Sequence, residues 1–174
     1  MEEENLLEEE DTQKDKYLTF TLGSEVYGLD IRVVQEIIGI LPITGVPEVP
    51  EYVRGIINLR GKIIPVVDMR LRFRQAFRPY TDRTCVIVIE AEAMQVGLIV
   101  DGVAEVLTIP EANVVPQPKL SASQNRYIRG VGKLGEEEGV VLLLDWEKLF
   151  SQEDEELLGR MQADETSEEG ADGK

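Results

Sequence analysis

The chain has 174 residues, 34 of them acidic and 18 basic, for a net charge of −16, and it contains no histidine. That charge disfavours nucleic-acid binding, which needs a basic field, and the missing imidazole removes the commonest general base and metal ligand. No apolar run approaches the ~20 residues that cross a bilayer, and Cys85 has no second cysteine for an intrachain disulfide, so a reducing cytoplasmic location is expected.

Residues 1–16 hold eight acidic and two basic side chains and read as a disordered acidic tail. This start also lacks the cationic and apolar segments of a signal peptide. Tyr17–Leu22 alternates at period two, Gly23-Ser24-Glu25 turns it, and Val26–Asp30 returns as the second arm of a hairpin. Ile31–Gln35 is expected to form a short helical turn entering a strand. After a loop marked by Pro42, Pro47 and Pro50, strands over Tyr52–Asn58 and Lys62–Val67 flank a turn at Arg60-Gly61. Asp68 is placed to cap a short helix, Met69–Phe73. The arginines from Arg70 to Arg78, with Arg83 nearby, read as a solvated helix face, with an acidic protein partner as the alternative. Strands follow at Thr84–Glu90, Gln95–Val100 and Glu105–Leu107, then a Pro110–Pro118 loop and strands near Ile128–Leu134 and Val140–Leu144. Asp145 is expected to cap a final helix of about 145–160, with Trp146, Leu149, Phe150, Leu157 and Leu158 packing back on the strands. Residues 159–174 form a second acidic tail, disordered from roughly 163.

The chain also contains itself twice. GLDIRVVQEII from Gly28 reappears as GLIVDGVAEVL from Gly97, an offset of 69 that sets Val34 on Val103, Glu36 on Glu105 and Ile37 on Val106. RGIINLRGKIIPVVDMRLRF from Arg54 returns as RGVGKLGEEEGVVLLLDWEKLF from Arg129. Two copies are too few for a solenoid. They predict two similar β units about a pseudo-two-fold axis, sharing one core because neither half is large enough to bury its own.

Catalytic parts are missing from this inventory. Cys85 opens the apolar run CVIVI and reads as a buried structural thiol. Asp30, Asp68, Asp101 and Asp145 offer the one route to a small aspartate-based metal-binding or hydrolytic protein, yet two of them are needed as helix caps. No phosphate-binding or dinucleotide glycine motif occurs. A binding module without cofactor is the expectation, not an enzyme.

The segments YLTFTLGSEVYGLDIRVVQEI, RGIINLRGKIIPVVDMRLRF, VGLIVDGVAEVL and IRGVGKLGEEEGVVLLLDWEKLF together resemble a CheW-type chemotaxis coupling protein. The resemblance spans residues 17–158, and Asn58-Leu59-Arg60-Gly61 followed by Pro65 and Asp68 is its most specific part. It implies a mainly β fold of two five-stranded SH3-like barrels sharing a core. The first barrel is expected mainly from 17–83 and the second mainly from 84–150, with room for strand exchange. It also implies a scaffold joining the cytoplasmic tip of methyl-accepting chemoreceptors to the regulatory domain of the CheA histidine kinase. A coupling protein of an array controlling pili or gene expression is the alternative within the family. The family's receptor groove corresponds here to Val34, Glu36, Gly55, Arg60, Thr84, Val103, Val106 and Gly130. Kinase contact is expected at exposed apolar residues near Ile38, Ile40 and Leu41 and in the Pro110–Pro118 loop. The isolated protein is expected to be a monomer that enters rings with the kinase in membrane-associated arrays, without inserting into the membrane.

Overall fold

The computed structural model describes residues 13–91, 94–116, 126–135 and 138–172, with side chains placed to residue 162. Of the tail expected over residues 1–16, residues 1–12 lie outside the described residues, whereas residues 13–15 form a turn whose Asp15 carbonyl accepts from the Ile109 amide at 2.8 Å, and Lys16 opens the first strand. Strand β1 (Lys16–Leu22) pairs antiparallel with β2 (Glu25–Asp30) across the turn at Gly23. Asp30 then caps a single 3-10 turn, Ile31–Val33, by accepting from the Arg32 amide at 2.9 Å, and β3 (Val34–Gly39) begins. The hairpin of β4 (Val53–Leu59) and β5 (Lys62–Asp68) leads into α1 (Met69–Arg72). The Asp68 carboxylate caps α1 by accepting from the Arg70 and Leu71 amides. The second copy supplies β6 (Cys85–Ala91), β7 (Met94–Val100), β8 (Gly102–Thr108), β9 (Val114–Val115), β10 (Ile128–Lys133) and β11 (Val140–Leu144).

One sheet has the order β3-β6-β7-β5-β4 and the other β8-β1-β2-β11-β10-β9. The repeat maps the first order onto the second strand for strand: β3 onto β8, β6 onto β1, β7 onto β2, β5 onto β11 and β4 onto β10. The copies have therefore exchanged their opening hairpins. β1 and β2 of the first copy lie in the sheet of the second, and β6 and β7 lie in the sheet of the first. A division at residue 83 thus cuts through both sheets, because each sheet takes its central hairpin from the other copy.

Each sheet closes on itself. Beyond β3, Thr44 pairs with Ile56 of β4, its amide donating to the Ile56 carbonyl at 2.9 Å. Beyond β8, Val115 of β9 pairs with Val131 of β10 in the same way. The two residues of β9 are why the second sheet counts six strands where five were expected. Closure removes exposed sheet edges that would template aggregation, and it demands close backbone approach at two glycines. A Cβ on Gly55, whose φ is +142°, would stand 2.0 Å from the Thr44 carbonyl oxygen; one on Gly130 would stand 2.9 Å from a Val114 methyl.

Strand alternation then sorts the apolar side chains into three clusters. Ile57, Ile64, Val66, Val86, Val88 and Ile99 fill the five-stranded unit, and Tyr17, Ile109, Val141 and Leu143 fill the other. The opposite faces of the same strands, among them Leu18, Phe20, Val67, Ile87, Ile89 and Leu98, meet in a shared core between the units. Two buried faces explain runs such as CVIVI, which do not alternate with polar residues.

The C-terminal helix departs from expectation. Asp145 caps only a 3-10 turn, Trp146–Lys148, and helix α2 runs over Gln152–Asp172. Its start is set at Ser151, whose hydroxyl accepts from the Asp154 amide while the Asp154 carboxylate accepts from the Ser151 amide, each at 3.1 Å. This reciprocal capping box outcompetes the earlier Asp145 signal. Leu149, Phe150 and Leu158 bury against the shared core and Trp146 and Leu157 pack partly buried on it, as expected, and Met161, which was not expected there, joins them. Helical backbone continues into the stretch expected to be a disordered tail.

Candidate protein-binding site

Val34 and Val103 occupy equivalent positions in the two copies, and both are half-buried against the shared core. They mark the seam between the units. From Val34 the chain passes to Glu36, opposite Val88 on β6. The β4–β5 turn brings Arg60 to it: Nη2 donates to Oε2 at 2.6 Å and to Oε1 at 2.9 Å. The Arg60 side chain is 70% exposed, and its hydrogen bond holds the Glu36 carboxyl below its ordinary value.

The Asn58-Leu59-Arg60-Gly61 motif is a turn device. Leu59 pairs with Lys62, leaving a two-residue loop with φ of 52° at Arg60 and 87° at Gly61, the signature of a type I′ hairpin. The Asn58 side chain accepts from the Gly61 amide at 2.8 Å and fixes the turn. Arg60 is thereby presented in a left-handed conformation.

Val106 points outward from β8 and is 49% exposed, while the next residue, Leu107, packs against the inner cluster of its own unit. Its counterpart in the first copy, Ile37, is 42% exposed. Sequence reasoning passed over Ile37 as a surface residue, although the 69-residue offset that pairs it with Val106 was the available signal. Thr84 is buried, its hydroxyl accepting from the Thr81 amide at 2.8 Å, and it closes the turn before β6. Gly55 and Gly130 are buried at the closure points described above.

The expected kinase residues lie differently from the prediction. Ile38, Ile40 and Leu41 are half-buried against the inner cluster of the five-stranded unit and are not exposed: the alternation that turns Ile37 outward turns Ile38 and Ile40 in, and Leu41 packs on the same cluster from beyond the end of β3. The Pro110–Pro118 loop is described only to residue 116, where Pro110–Asn113 lead into β9.

The arginine stretch is not simply a solvated face. Arg70 is 8% exposed and binds Asp101 through Nε at 2.7 Å and Nη2 at 2.5 Å. Arg72 donates to the Leu149 carbonyl and the Tyr127 hydroxyl, between the rings of Tyr52 and Tyr127. Burial works to raise the Asp101 carboxyl, yet the Arg70 hydrogen bonds and the Gly23 amide outweigh it and hold it below its ordinary value. The four aspartates considered for metal or hydrolytic chemistry are all engaged: Asp30 with Arg32, Asp68 with the α1 amides and Tyr80, Asp101 with Arg70, and Asp145 with the Glu147 amide. They sit on separate elements. Among the described residues no three His, Cys, Asp or Glu side chains gather to hold a metal ion.

What the geometry offers is a rigid, duplicated surface with apolar and charged handles. The CheW-like domain model matches residues 16–154. The chain belongs to the CheW-like family. It is similar to the chemotaxis protein CheW of Klebsiella aerogenes, at 39% identity over 149 residues, covering 85% of this chain and 89% of that one. The chemotaxis protein CheW of Treponema pallidum is 33% identical over 83% of this chain and 86% of its own. In three dimensions it resembles the scaffolding protein TtCheW from Thermoanaerobacter tengcongensis, with a TM-score of 0.72, 37% identity, and coverage of 79% of this chain and 92% of that one. As a CheW-like protein it is a non-enzymatic scaffold of chemotaxis signalling.

Proposed function

We propose that this protein couples the cytoplasmic tip of methyl-accepting chemoreceptors to the regulatory domain of the CheA kinase, through two surfaces occupied at once, in the cytoplasm at membrane-associated receptor arrays. The observation that carries the receptor half is Val106, an apolar side chain held half-exposed by a strand whose neighbouring residue is anchored in a core. An amphipathic helical hairpin fits such a surface, laying apolar side chains along Val34, Val103 and Val106 with Glu36 and Arg60 at its rim. Thr84, Gly55 and Gly130 shape the surface from beneath. The kinase domain docks on the barrel ends, away from the receptor surface. Because the contacts are head-to-tail, the complex closes into rings with the kinase, whereas the isolated protein is a monomer.

The test is a three-component binding experiment with purified receptor tip and kinase regulatory domain. Val106→Glu should weaken receptor-tip binding by about 30-fold, as loss of a central hot spot does, and leave kinase-domain binding intact. Displacement of the kinase domain by saturating receptor tip would mean overlapping sites and overturn the scaffold reading.

A further inference from the structure

The repeat sets β11 on β5, so that Val140 and Leu142 stand where Ile63 and Pro65 stand in the first unit. The residues that alternate with them fill each unit's own cluster, Ile64 and Val66 in one and Val141 and Leu143 in the other. The opposite faces of the two strands are finished differently. On β5 the face is covered by α2, which runs against the strand. At one end Asp154 meets Tyr52, whose carbonyl accepts from the Asp68 amide at 2.8 Å; at the other Gln162 Nε2 donates to the Ile63 carbonyl at 3.3 Å. Here Ile63 is half-buried, and Pro65 and its cross-strand partner Ile56 are buried. On the second unit the equivalent positions are each more open. Val140 is 53% exposed, the most of any large apolar side chain among the described residues, and Leu142 and its cross-strand partner Val131 are only half-buried.

A sheet face left open in one unit is thus closed by a helix in its twin, and that helix defines what fits. We propose that the β10–β11 face docks an amphipathic helix of a partner protein, apolar at the spacing of Leu157, Leu158 and Met161 and running against β11 towards Val140. The last turn of such a helix ends at Lys133, which is exposed across from Val140 and whose charge complements the unpaired carbonyls of a helix C-terminus. In the sheet order β11 lies three strands from β8, ~14 Å at the usual spacing. A helix seated here therefore leaves the Val106 surface free, and the site is separate from the receptor contact.

The probe is a synthetic peptide of residues 151–162, SQEDEELLGRMQ, amidated at its C-terminus. A lactam bridging positions 156 and 160, both exposed in α2, holds so short a peptide helical. Added to isotope-labelled full-length protein, it should shift the amides of Val131, Lys133, Val140 and Leu142. Those of Ile63 and Val67 should stay in place, because tethering keeps α2 in its own seat. Val140→Glu, at an exposed position, should leave the melting temperature unchanged and weaken the peptide by about 10-fold or more; Lys133→Glu should weaken it by about 3-fold. Val106→Glu should not change its affinity, so that failure of this site and failure of the receptor contact are told apart. The proposal is overturned if millimolar peptide shifts none of the four amides, or if Val140→Glu binds it as the parent chain does. It is equally overturned if the shifts fall on Ile63 and Val67, which would mean that the peptide only replaces α2. Self-association of the protein that Val140→Glu abolishes would make a second copy the occupant, and overturns it too.

Discussion

Two positive-φ residues at the candidate site, Arg60 and Gly55, carry opposite meanings. Arg60 tolerates a left-handed φ of 52° on an exposed turn where its side chain serves the Glu36 pair and leaves other donors free for a partner. Gly55 has a φ of +142° in a buried strand where any side chain would strike the Thr44 carbonyl. Arg60→Gly should therefore leave the melting temperature unchanged or raise it, since glycine adopts that φ without cost, while receptor-tip binding falls. Gly55→Ala should destabilise by ~2 kcal/mol as an overpacked site does, a drop of roughly 4–8 °C for a chain of this size. Thermal melts beside binding isotherms separate the two. If Arg60→Gly melts as low as Gly55→Ala, Arg60 is structural and leaves the interface. The NLRG signal was legible in the sequence as a turn, but the pairing of Arg60 with Glu36 was only one of two options there, because sequence spacing does not show which strand a turn faces.

At the scale of elements, helix α2 is attached where α1, the loop before β4 and the stretch after β11 converge. Asp154 caps the helix through Ser151, accepts from the Tyr52 hydroxyl and lies 3.8 Å from Arg72. Burial first, and then Asp154, push the Tyr52 phenol up to about 12 from its ordinary 10.0. A folded-state value raised in this way favours the neutral phenol in the folded protein. Its stabilisation is complete below pH 10 and is lost as pH rises towards about 12, because the unfolded chain ionises first. Tyr52→Phe should accordingly show a shallower decline in melting temperature across that window than the parent chain. The decline will not vanish, since Tyr27 and Tyr80 are raised too, by burial and by Glu25 and Asp68 respectively. An unchanged slope would remove Tyr52 from the account. None of this clamp was visible in the sequence: a run of arginines looks the same whether its guanidinium groups meet water or, like Arg70 and Arg72, buried carboxylates and tyrosine rings.

For the whole molecule, the duplication was legible but its consequence was not. Period-two alternation shows that a strand has two faces, and the copies of GLDIRVVQEII showed that two units exist. It does not show which neighbour a hairpin joins, and two hairpins that resemble each other satisfy either sheet. Exchange resolves this in favour of pairing β1 with β8 and β6 with β3, so neither sheet is complete within one copy and both press on one core. Such a molecule has no independently stable half, and unfolding should be a single cooperative transition. Trp146, the only tryptophan in the chain, packs on the shared core, so its fluorescence reports the seam while far-UV circular dichroism reports both sheets. The two denaturant midpoints should coincide, with one slope describing both curves. A fluorescence transition that precedes the loss of strand signal would mean that the seam opens while the sheets persist, and that the units are separable domains despite their exchanged hairpins.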